Sequence, residues 1–236
     1  MKILAFDSTA RIASVALLED GKVLSLYNVD NGLTQSELLL PMAEAMLSSL
    51  RLSFSDIDLF AATVGPGSFT GVRIGTALVK GLAFGRNLPC ASVSTLEALA
   101  YNLLGLSGIA VSCMDARRGQ VYCAIFRLKD ERAERLSEDL AISLSQLYEL
   151  LLDYKGEKIF LVGDGYDLTY KALSDMGLSL EITPPLLRLQ SAASVGILAK
   201  EKYDAGECVS DTNFNPKYLR LPQAERERLE KEKGLI

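Results

Sequence analysis

The side chains best suited to chemistry lie in short turns that follow apolar, strand-like segments. In the first turn, Asp7 could hold a metal-bound water, and Thr9 could donate a hydrogen bond to a phosphate. Asp115 opens a second such turn, and Gly163 and Gly165 mark a third. The first two turns are nevertheless poor in glycine, which a close approach of phosphate requires. The pattern therefore predicts inherited nucleotide-binding geometry that is no longer used.

Histidine is absent from all 236 residues, which removes the commonest metal ligand and the commonest general base near neutral pH. Nucleophile systems built on Ser-His-Asp or Cys-His are therefore impossible. The cysteines form no CxxC pair and no zinc spacing, so we expect small buried thiols at Cys90, Cys113, Cys123 and Cys208. Carboxylate, lysine or tyrosine chemistry is not excluded by these absences.

The segment from Gly65 to Gly75 is rich in glycine and joins a predicted strand to a predicted helix. A loop of this kind can bind phosphate through free backbone N–H groups at a helix N-terminus. It is not a Walker A loop, because no Gly-Lys-Ser/Thr ends it, and it is not GxGxxG. Phosphate binding and a tight structural turn both stay open, and the sequence favours the turn.

Hydrophobic periodicity and turn residues predict the same order of elements in both halves of the chain. Each half reads as three strands, a helix, a strand and a helix, followed by one more strand and a closing helix. In the second half, the third strand is predicted at 134–142 and the last at 178–182. Two βββαβα halves are the plan of the actin-like ATPase fold, in the α/β class. In that plan the turn marked by Gly163 and Gly165 falls where adenosine would be contacted. We predict subdomains at 1–107 and 108–210, and a C-terminal tail at 211–236.

Two helices of the first half, at 34–51 and 70–84, have apolar faces wider than one core requires. Pro41 lies within the first, so we expect a kink or a delayed start there. Glycines weaken the second by about 1 kcal/mol each relative to alanine, a cost that close approach of another element would offset. We interpret the pair as an interface with a partner chain; the alternative is burial between layers of one domain. The predicted interface residues are Leu38, Leu39, Met42, Met46, Gly71, Gly75, Leu78, Val79 and Leu82.

The composition is that of an ordinary soluble globule, with 49% apolar residues and a formal charge of −5 from 25 basic and 30 acidic side chains. This balance argues against a chain that grips nucleic acid by itself, although a local basic patch could exist. No run approaches the roughly 18 apolar residues of a membrane span. Asp7 also comes too early for a signal-peptide core. We therefore expect a cytoplasmic protein with no membrane partner.

Segments from both halves together resemble the TsaB (YeaZ) family, in family order and across nearly the whole chain. The Gly-Pro-Gly-Ser-Phe-Thr-Gly run that starts at Gly65 is the most specific of them. The matching segments are 3–9, 36–41, 65–75, 115–122 and 216–220. In one departure, Gln35 stands where the family often has histidine. Histidines on this helix bind metal in TsaD, a related family, so the absence of histidine rules out a TsaD-like metal site.

The resemblance implies an actin-like fold that has lost catalysis, with no catalytic residue. It implies no cofactor, apart from ATP bound weakly or at a shared interface. The implied role is to support N6-threonylcarbamoyladenosine formation at position 37 of tRNAs that read ANN codons. The implied partners are a TsaD-type subunit, bound through the first two helices of each protein, and a TsaE-type ATPase. We also expect a homodimer when the chain is alone, and tRNA as an indirect partner.

Two other functions stay open at this point. The chain could be a stand-alone ATP-dependent phosphotransferase of the actin-like fold, a hypothesis that rests on Asp7, Thr9 and the glycine turns. It could also be an M22-type metallopeptidase, the activity in an older label of such proteins. The absence of histidine argues strongly against the second hypothesis.

Overall fold

The computed structural model describes residues 1–220, and its first half follows the predicted order of elements. The strands are β1 (Lys2–Asp7), β2 (Ala13–Glu19), β3 (Lys22–Val29), β4 (Leu59–Thr63) and β5 (Cys90–Val93). The helices are α1 (Gln35–Ser49), α2 (Phe69–Ala83) and α3 (Thr95–Tyr101). Strands β1, β2 and β4 are almost wholly buried, which is typical of a sheet covered on both faces.

The second half begins with a longer hairpin and carries its own set of helices. Its strands are β6 (Gly108–Asp115), β7 (Gln120–Lys129), β8 (Arg132–Arg135), β9 (Leu140–Ser143) and β10 (Ile159–Val162). Its helices are α4 (Leu144–Leu151), α5 (Tyr166–Asp175) and α6 (Ala192–Asp204).

The two sheets share a strand order that confirms the predicted actin-like plan. The first sheet runs β3-β2-β1-β4-β5, with an antiparallel hairpin side and a parallel crossover side. The second runs β10-β6-β7-β8, with β9 also paired to β7. In each sheet the opening strand lies between its antiparallel hairpin partner and a parallel strand, so the turn that follows it lies at the same sheet edge as the end of that parallel strand.

The prediction of one strand at 134–142 is wrong, because this segment forms two strands, β8 and β9. β8 pairs with 126–129 of β7 and β9 with 120–123. Between them, Ile125 donates its N–H to the hydroxyl of Ser137 at 2.9 Å and accepts from the N–H of Leu136 at 2.8 Å. The serine side chain takes the place of a backbone partner, so the ladder is interrupted at Ile125.

The strand predicted at 178–182 is also absent from the described part of the chain, where only an isolated bridge joins Phe160 to Glu181. The N–H of Glu181 donates to the carbonyl of Ile159 at 2.8 Å. The hydroxyl of Thr183 then donates to the carbonyl of Leu161 at 2.7 Å, and Pro184 follows. A side chain therefore fills the next acceptor of β10, and proline can donate no further ladder bond.

Side-chain caps fix where the helices of the first half begin. The capping box predicted for α1 is confirmed, since the N–H of Thr34 donates to Glu37 Oε2 at 2.9 Å. The helix starts at Gln35 and continues past Pro41, so the delayed start is wrong, and the kink stays a prediction. Ser68 caps α2 by accepting from the N–H of Gly71 at 3.2 Å.

The helices and sheets form five layers, and the middle layer exchanges helices between the halves. α1 and α2 cover the outer face of the first sheet, and α4 and α5 that of the second. Between the sheets, α3 packs on β6, β7 and β8, whereas α6 packs on β1, β2, β4 and β5. Each half therefore places its last helix on the other half's sheet. The subdomain boundary at 107–108 stays a prediction. Helix α6, which we predicted as part of the second subdomain, packs on the first sheet.

Within residues 1–220, no helix combines the length and the apolar character that crossing a bilayer would need.

Candidate functional site

A cleft of about 520 Å³ lies between the two halves and brings together the turns that the sequence singled out. The β1–β2 hairpin, here called the first hairpin, contributes Thr9 to the wall of the cleft, and the β6–β7 hairpin contributes Asp115. Asp164 projects from the turn after β10, between the glycines predicted to contact adenosine. The volume falls within the usual range for a small-molecule site. The two glycines that flank Asp164, Gly163 and Gly165, pack on the backbone of Cys113.

Asp7 ends β1 beneath the cleft and is only 1% exposed. Its Oδ1 accepts from the N–H of Thr9 at 2.9 Å and from the hydroxyl of Thr9 at 2.6 Å. Its Oδ2 has no hydrogen-bond partner within residues 1–220. Burial raises the pKa of Asp7, and the Thr9 hydrogen bonds oppose that rise only in part. The carboxyl group therefore positions Thr9 and does not itself reach the cleft.

On the second-half side, the cleft is lined by two carboxylates, Asp115 and Asp164, and by Arg117. The Arg117 guanidinium lies 3.1 Å from Asp115 Oδ2, and the backbone N–H of Arg117 donates to Asp115 Oδ1 at 2.7 Å. Asp164 is exposed by area, yet nearby protein atoms and the negative charge of Asp115 raise its pKa to about 6. Within the described range, no group of three potential ligands is placed to hold a metal ion.

Backbone atoms of this chain occupy the space beside the glycines of the segment from Gly65 to Gly75. A Cβ on Gly71 would overlap the carbonyl oxygen of Ser8, and a Cβ on Gly65 would overlap that of Lys217. The N–H of Ser68 donates to the carbonyl of Thr9 at 2.7 Å. The glycines thus let α2 and its preceding loop pack against the first hairpin and the tail. This supports the tight structural turn over a phosphate loop.

The tail from Asp211 to Arg220 closes one side of the cleft and bridges the halves. Phe214 is fully buried beside α2. Tyr218 stacks on Phe69 with ring centroids 4.5 Å apart and accepts from Arg73 Nε at 2.8 Å. At the far end, Arg220 donates to the carbonyl of Ala116 at 3.2 Å. The sequence marked the tail only through its family resemblance, and no spacing signal predicted this bridge.

The turn between β6 and β7 holds two arginines in an unusual backbone conformation. Arg117 has φ of 63° and Arg118 has φ of 56°, both in the left-handed region that residues with a Cβ rarely occupy. Both side chains are exposed, so no packing in the core requires arginine there. Such conformations cluster at functional sites, and sequence reasoning missed this one because no turn signature there is specific for it.

Most of the predicted interface residues are buried inside the chain's own fold. Leu39, Met46 and Val79 are at most 1% exposed, and Met42 is 7% exposed. Gly71 and Gly75 face Ser8 of the first hairpin. These residues offer almost no surface to a partner, so the predicted interface was too broad. Leu38, Leu78 and Leu82 are half-buried and stay candidates.

The outer faces of α1 and α2 nevertheless present apolar surface to solvent. On α2, exposed Ala77 and Gly81 lie on one face with half-buried Ile74 and Leu78, as helical spacing requires. Phe84, immediately after the helix, is 77% exposed. On α1, Pro41 and Ala45 are exposed at one-turn spacing from Leu38. The helices pack side by side, so this surface is one face of the molecule, here called the α1–α2 face.

Comparison with known proteins gives the family. A family model described as TsaD, tRNA N6-adenosine threonylcarbamoyltransferase, matches residues 34–228. The tRNA threonylcarbamoyladenosine biosynthesis protein TsaB of Bacillus subtilis is 30% identical, over 99% of this chain and 100% of that protein. The protein of the same name from Escherichia coli is 33% identical, over 93% and 95%. This chain belongs to the TsaB family. The family resemblance drawn from the sequence segments is confirmed.

Solved structures of TsaB-like proteins have the same fold. The structure described as YeaZ from Pseudomonas aeruginosa superposes with a TM-score of 0.76, at 26% identity over 92% of this chain and 99% of that one. A second Pseudomonas aeruginosa structure, described as similar to peptidase YEAZ, gives 0.79 at 26% identity, over 93% and 99%. The activator of 2-hydroxyisocaproyl-CoA dehydratase from Clostridium difficile gives 0.51 at 11% identity and shares the fold alone.

Gln35, the first residue of α1, has a clear structural role in this chain. It donates from Nε2 to the carbonyl of Ala10 at 2.9 Å and to that of Arg11 at 3.2 Å. The side chain therefore ties the start of α1 to the first hairpin at the cleft. The amide of Gln35 forms hydrogen bonds with backbone carbonyls, and it lacks the imidazole nitrogen with which histidine binds a metal.

Proposed function

We propose that this chain is a subunit needed to form N6-threonylcarbamoyladenosine at position 37 of tRNAs that read ANN codons. The observation that carries the proposal is its similarity, over its whole length, to relatives named for that biosynthesis. The matching family model bears the name of the transferase, which suits a subunit that shares its fold with a catalytic partner.

In this proposal the chain does not itself transfer the threonylcarbamoyl group. Three features of the residues in and beneath the cleft support a noncatalytic role. Ser8 and Lys217 fill the space at the glycine segment that a phosphate would need, and Asp7 is buried. Gln35 is engaged with backbone carbonyls. The cleft retains the outline of a nucleotide site while its phosphate-facing parts serve internal packing.

The α1–α2 face supplies the surface for a partner. Phe84 and Ala77 are exposed there, beside the half-buried leucines of both helices. Exposed apolar residues grouped on one face mark interaction sites more often than scattered ones do. The occupant that fits is a TsaD-type subunit with a matching helix pair, joined by a TsaE-type ATPase. A second copy of this chain occupies the same face when the partner is absent.

Reconstitution tests the functional proposal directly. Unmodified tRNA, threonine, bicarbonate and ATP are incubated with the other proteins of the pathway, with this chain added, omitted or supplied alone. We expect modified adenosine only in the complete mixture. Full modification without this chain would reject the required role, and modification by the chain alone would reject the noncatalytic role.

Ala77→Glu tests the partner surface, with Leu168→Glu on α5 as a matched control. Both positions are exposed helix residues, so neither change disturbs the core. We expect Ala77→Glu to weaken binding to the TsaD-type subunit at least tenfold by calorimetry, because a charge would be desolvated in an apolar contact. Leu168→Glu should bind as the unmodified chain does. Equal affinities for the two variants would place the partner elsewhere.

The second candidate function is an ATP-dependent phosphotransferase, which the cleft volume and the position of Thr9 and Asp115 favour. A ligand that binds only the folded state raises the melting temperature. Millimolar ATP with Mg²⁺ should leave the melting temperature of the isolated chain unchanged if the cleft is disused. A rise of several degrees, together with ADP release that depends on an added acceptor, would favour the phosphotransferase.

A further inference from the structure

We propose that the turn at Arg117 and Arg118 binds the phosphate backbone of a single-stranded loop in the RNA substrate, at the rim of the cleft. The inference rests on the proposed function, which supplies RNA as the substrate class. It changes the expected role of RNA from an indirect partner to a direct one.

Positive charge is concentrated at this rim, although the chain as a whole carries a formal charge of −5. The carboxylates of Asp115 and Asp164 are outnumbered there by cations. The cations that border the cleft are Arg11, Arg117, Arg118, Lys217 and Arg220. A local excess of cations on an acidic protein is the electrostatic feature that phosphate backbones select.

The internal partners of these cations distinguish the ones that are free to bind. Arg11 forms an ion pair with Asp30 at 2.6 Å, and Arg220 is held by the carbonyl of Ala116. The Arg117 side chain is 86% exposed beyond its contact with Asp115. Arg118 is exposed, and the described residues give it no ion-pair partner. Lys217 at the rim is also exposed, and the Arg11 side chain is 83% exposed despite its ion pair. Arg117 and Arg118 differ from these cations because they are neighbours in one turn, so together they can contact adjacent phosphates.

Both arginines are exposed where the backbone reverses its direction. Consecutive left-handed conformations at Arg117 and Arg118 form a tight reversal between β6 and β7, closed by the N–H of Gln120 on the carbonyl of Arg117 at 3.2 Å. Arginine is a poor choice for this conformation on steric grounds. Its presence at both positions is explained if the side chains, and not the turn itself, serve the function.

Aromatic rings beside the arginines favour an unpaired RNA loop over a duplex. Tyr122 and Tyr218 border the same cleft, and Tyr218 is 42% exposed while it stacks on Phe69. Bases that are unstacked in a loop can stack on such rings while their phosphates contact arginine. A duplex keeps its bases stacked on one another and leaves none to stack on these rings.

The first experiment measures binding of the full chain to a fluorescent anticodon stem-loop RNA, by anisotropy, over a range of salt concentrations. The test variant is Arg117→Glu with Arg118→Glu. The control is Lys129→Glu with Arg132→Glu, which makes the same charge change in the turn at the other end of β7. We expect the test variant to bind at least tenfold more weakly, with a salt slope lower by about two, one per lost phosphate contact. The control should match the unmodified chain.

Two controls use the same protein preparations, one for folding and one for whether the rim binds RNA or free nucleotide. Melting temperatures within about 2 °C of the unmodified chain show that the variants are folded. The milder variant Arg118→Gln should give a smaller loss in RNA affinity. ATP should not displace the RNA at concentrations near the RNA's own Kd. Displacement there would assign the rim to free nucleotide and overturn the RNA proposal.

The reconstituted reaction separates this inference from the proposed function. We expect the Arg117→Glu, Arg118→Glu variant to raise the KM for tRNA while it leaves binding to the TsaD-type subunit intact. Modification that needs the chain but has the same KM and RNA affinity in both variants would overturn the inference and leave the function standing. Modification that is indifferent to the chain would overturn the function, whatever RNA it binds.

Discussion

At the scale of single residues, Asp7 carries the most unusual environment in the described chain. One carboxyl oxygen is fully occupied by Thr9, and the other is buried without a hydrogen bond. Thr63 lies on the neighbouring strand, where its hydroxyl lowers the pKa of Asp7 slightly without reaching hydrogen-bond geometry. Because burial raises the pKa overall, the folded chain favours the protonated acid more than the unfolded chain does.

Asp7→Asn should therefore stabilise the protein at neutral pH. The amide Oδ1 can still accept from Thr9, and Nδ2 places a donor beside the unpaired hydroxyl of Thr63. We expect a gain of about 1–2 kcal/mol in the free energy of unfolding, or a few degrees in Tm. The folded pKa is raised, so stability of the unmodified chain falls as pH rises above the unfolded pKa. The advantage of Asn should accordingly shrink toward pH 4.

Asp7→Ala is the contrasting variant for this prediction, measured by thermal unfolding across the same pH range. It removes the acceptor for Thr9 and leaves a buried donor unpaired, so it should lower Tm. A loss of stability in Asp7→Asn comparable with that in Asp7→Ala would show that the carboxylate charge is needed.

At the scale of elements, helix α2 shows why glycine occurs repeatedly in a helix. Gly71 faces the carbonyl of Ser8 so closely that no Cβ fits, whereas nothing lies within 4 Å of a Cβ at Gly81. From the sequence we predicted that these glycines lower helix stability and that close approach of another element offsets this loss. We interpreted that element as a partner chain, because a pattern within one helix cannot show which element lies against it.

The pair Gly71→Ala and Gly81→Ala should shift stability in opposite directions. Both gain the same intrinsic helix propensity, roughly 0.5–1 kcal/mol. Only Gly71→Ala must displace backbone of the first hairpin, so it should lose about 1–3 kcal/mol net, while Gly81→Ala should gain a few tenths or more. Urea unfolding of the two variants measures the difference. Equal shifts would mean that the hairpin moves freely away from α2.

Strand predictions succeeded where backbone pairs with backbone and failed where a side chain intervened. The apolar runs of β1, β2 and β4 were predicted because their burial follows directly from hydrophobicity. The break between β8 and β9 depends on the hydroxyl of Ser137, and the missing strand near Glu181 depends on that of Thr183. A hydroxyl that takes over a ladder bond leaves no periodic signal in the sequence.

At the scale of the whole molecule, the exchanged helices tie the two halves into one body. The core between the sheets combines β1 and β2 residues with residues from β6 and β7, and α3 and α6 also contact each other. Helix periodicity predicts that a helix has an apolar face but not which sheet it covers. The crossover was therefore invisible in the sequence, even though the order of elements in the first half was predicted correctly.

Gly196→Val tests whether the halves unfold as one unit. Gly196 lies on α6 directly against the Leu18 side chain of β2, which is fully buried, so valine would push α6 from the first sheet. We expect a loss of about 1–3 kcal/mol and a Tm lower by roughly 2–4 °C per kcal/mol. Because α6 begins in the second half and packs on the first, amide hydrogen exchange should accelerate together in β1 and β6, with one calorimetric transition. Two transitions, or acceleration confined to β1, would instead mean that each sheet is held by its own helices, and that the exchanged pair joins two independently stable domains.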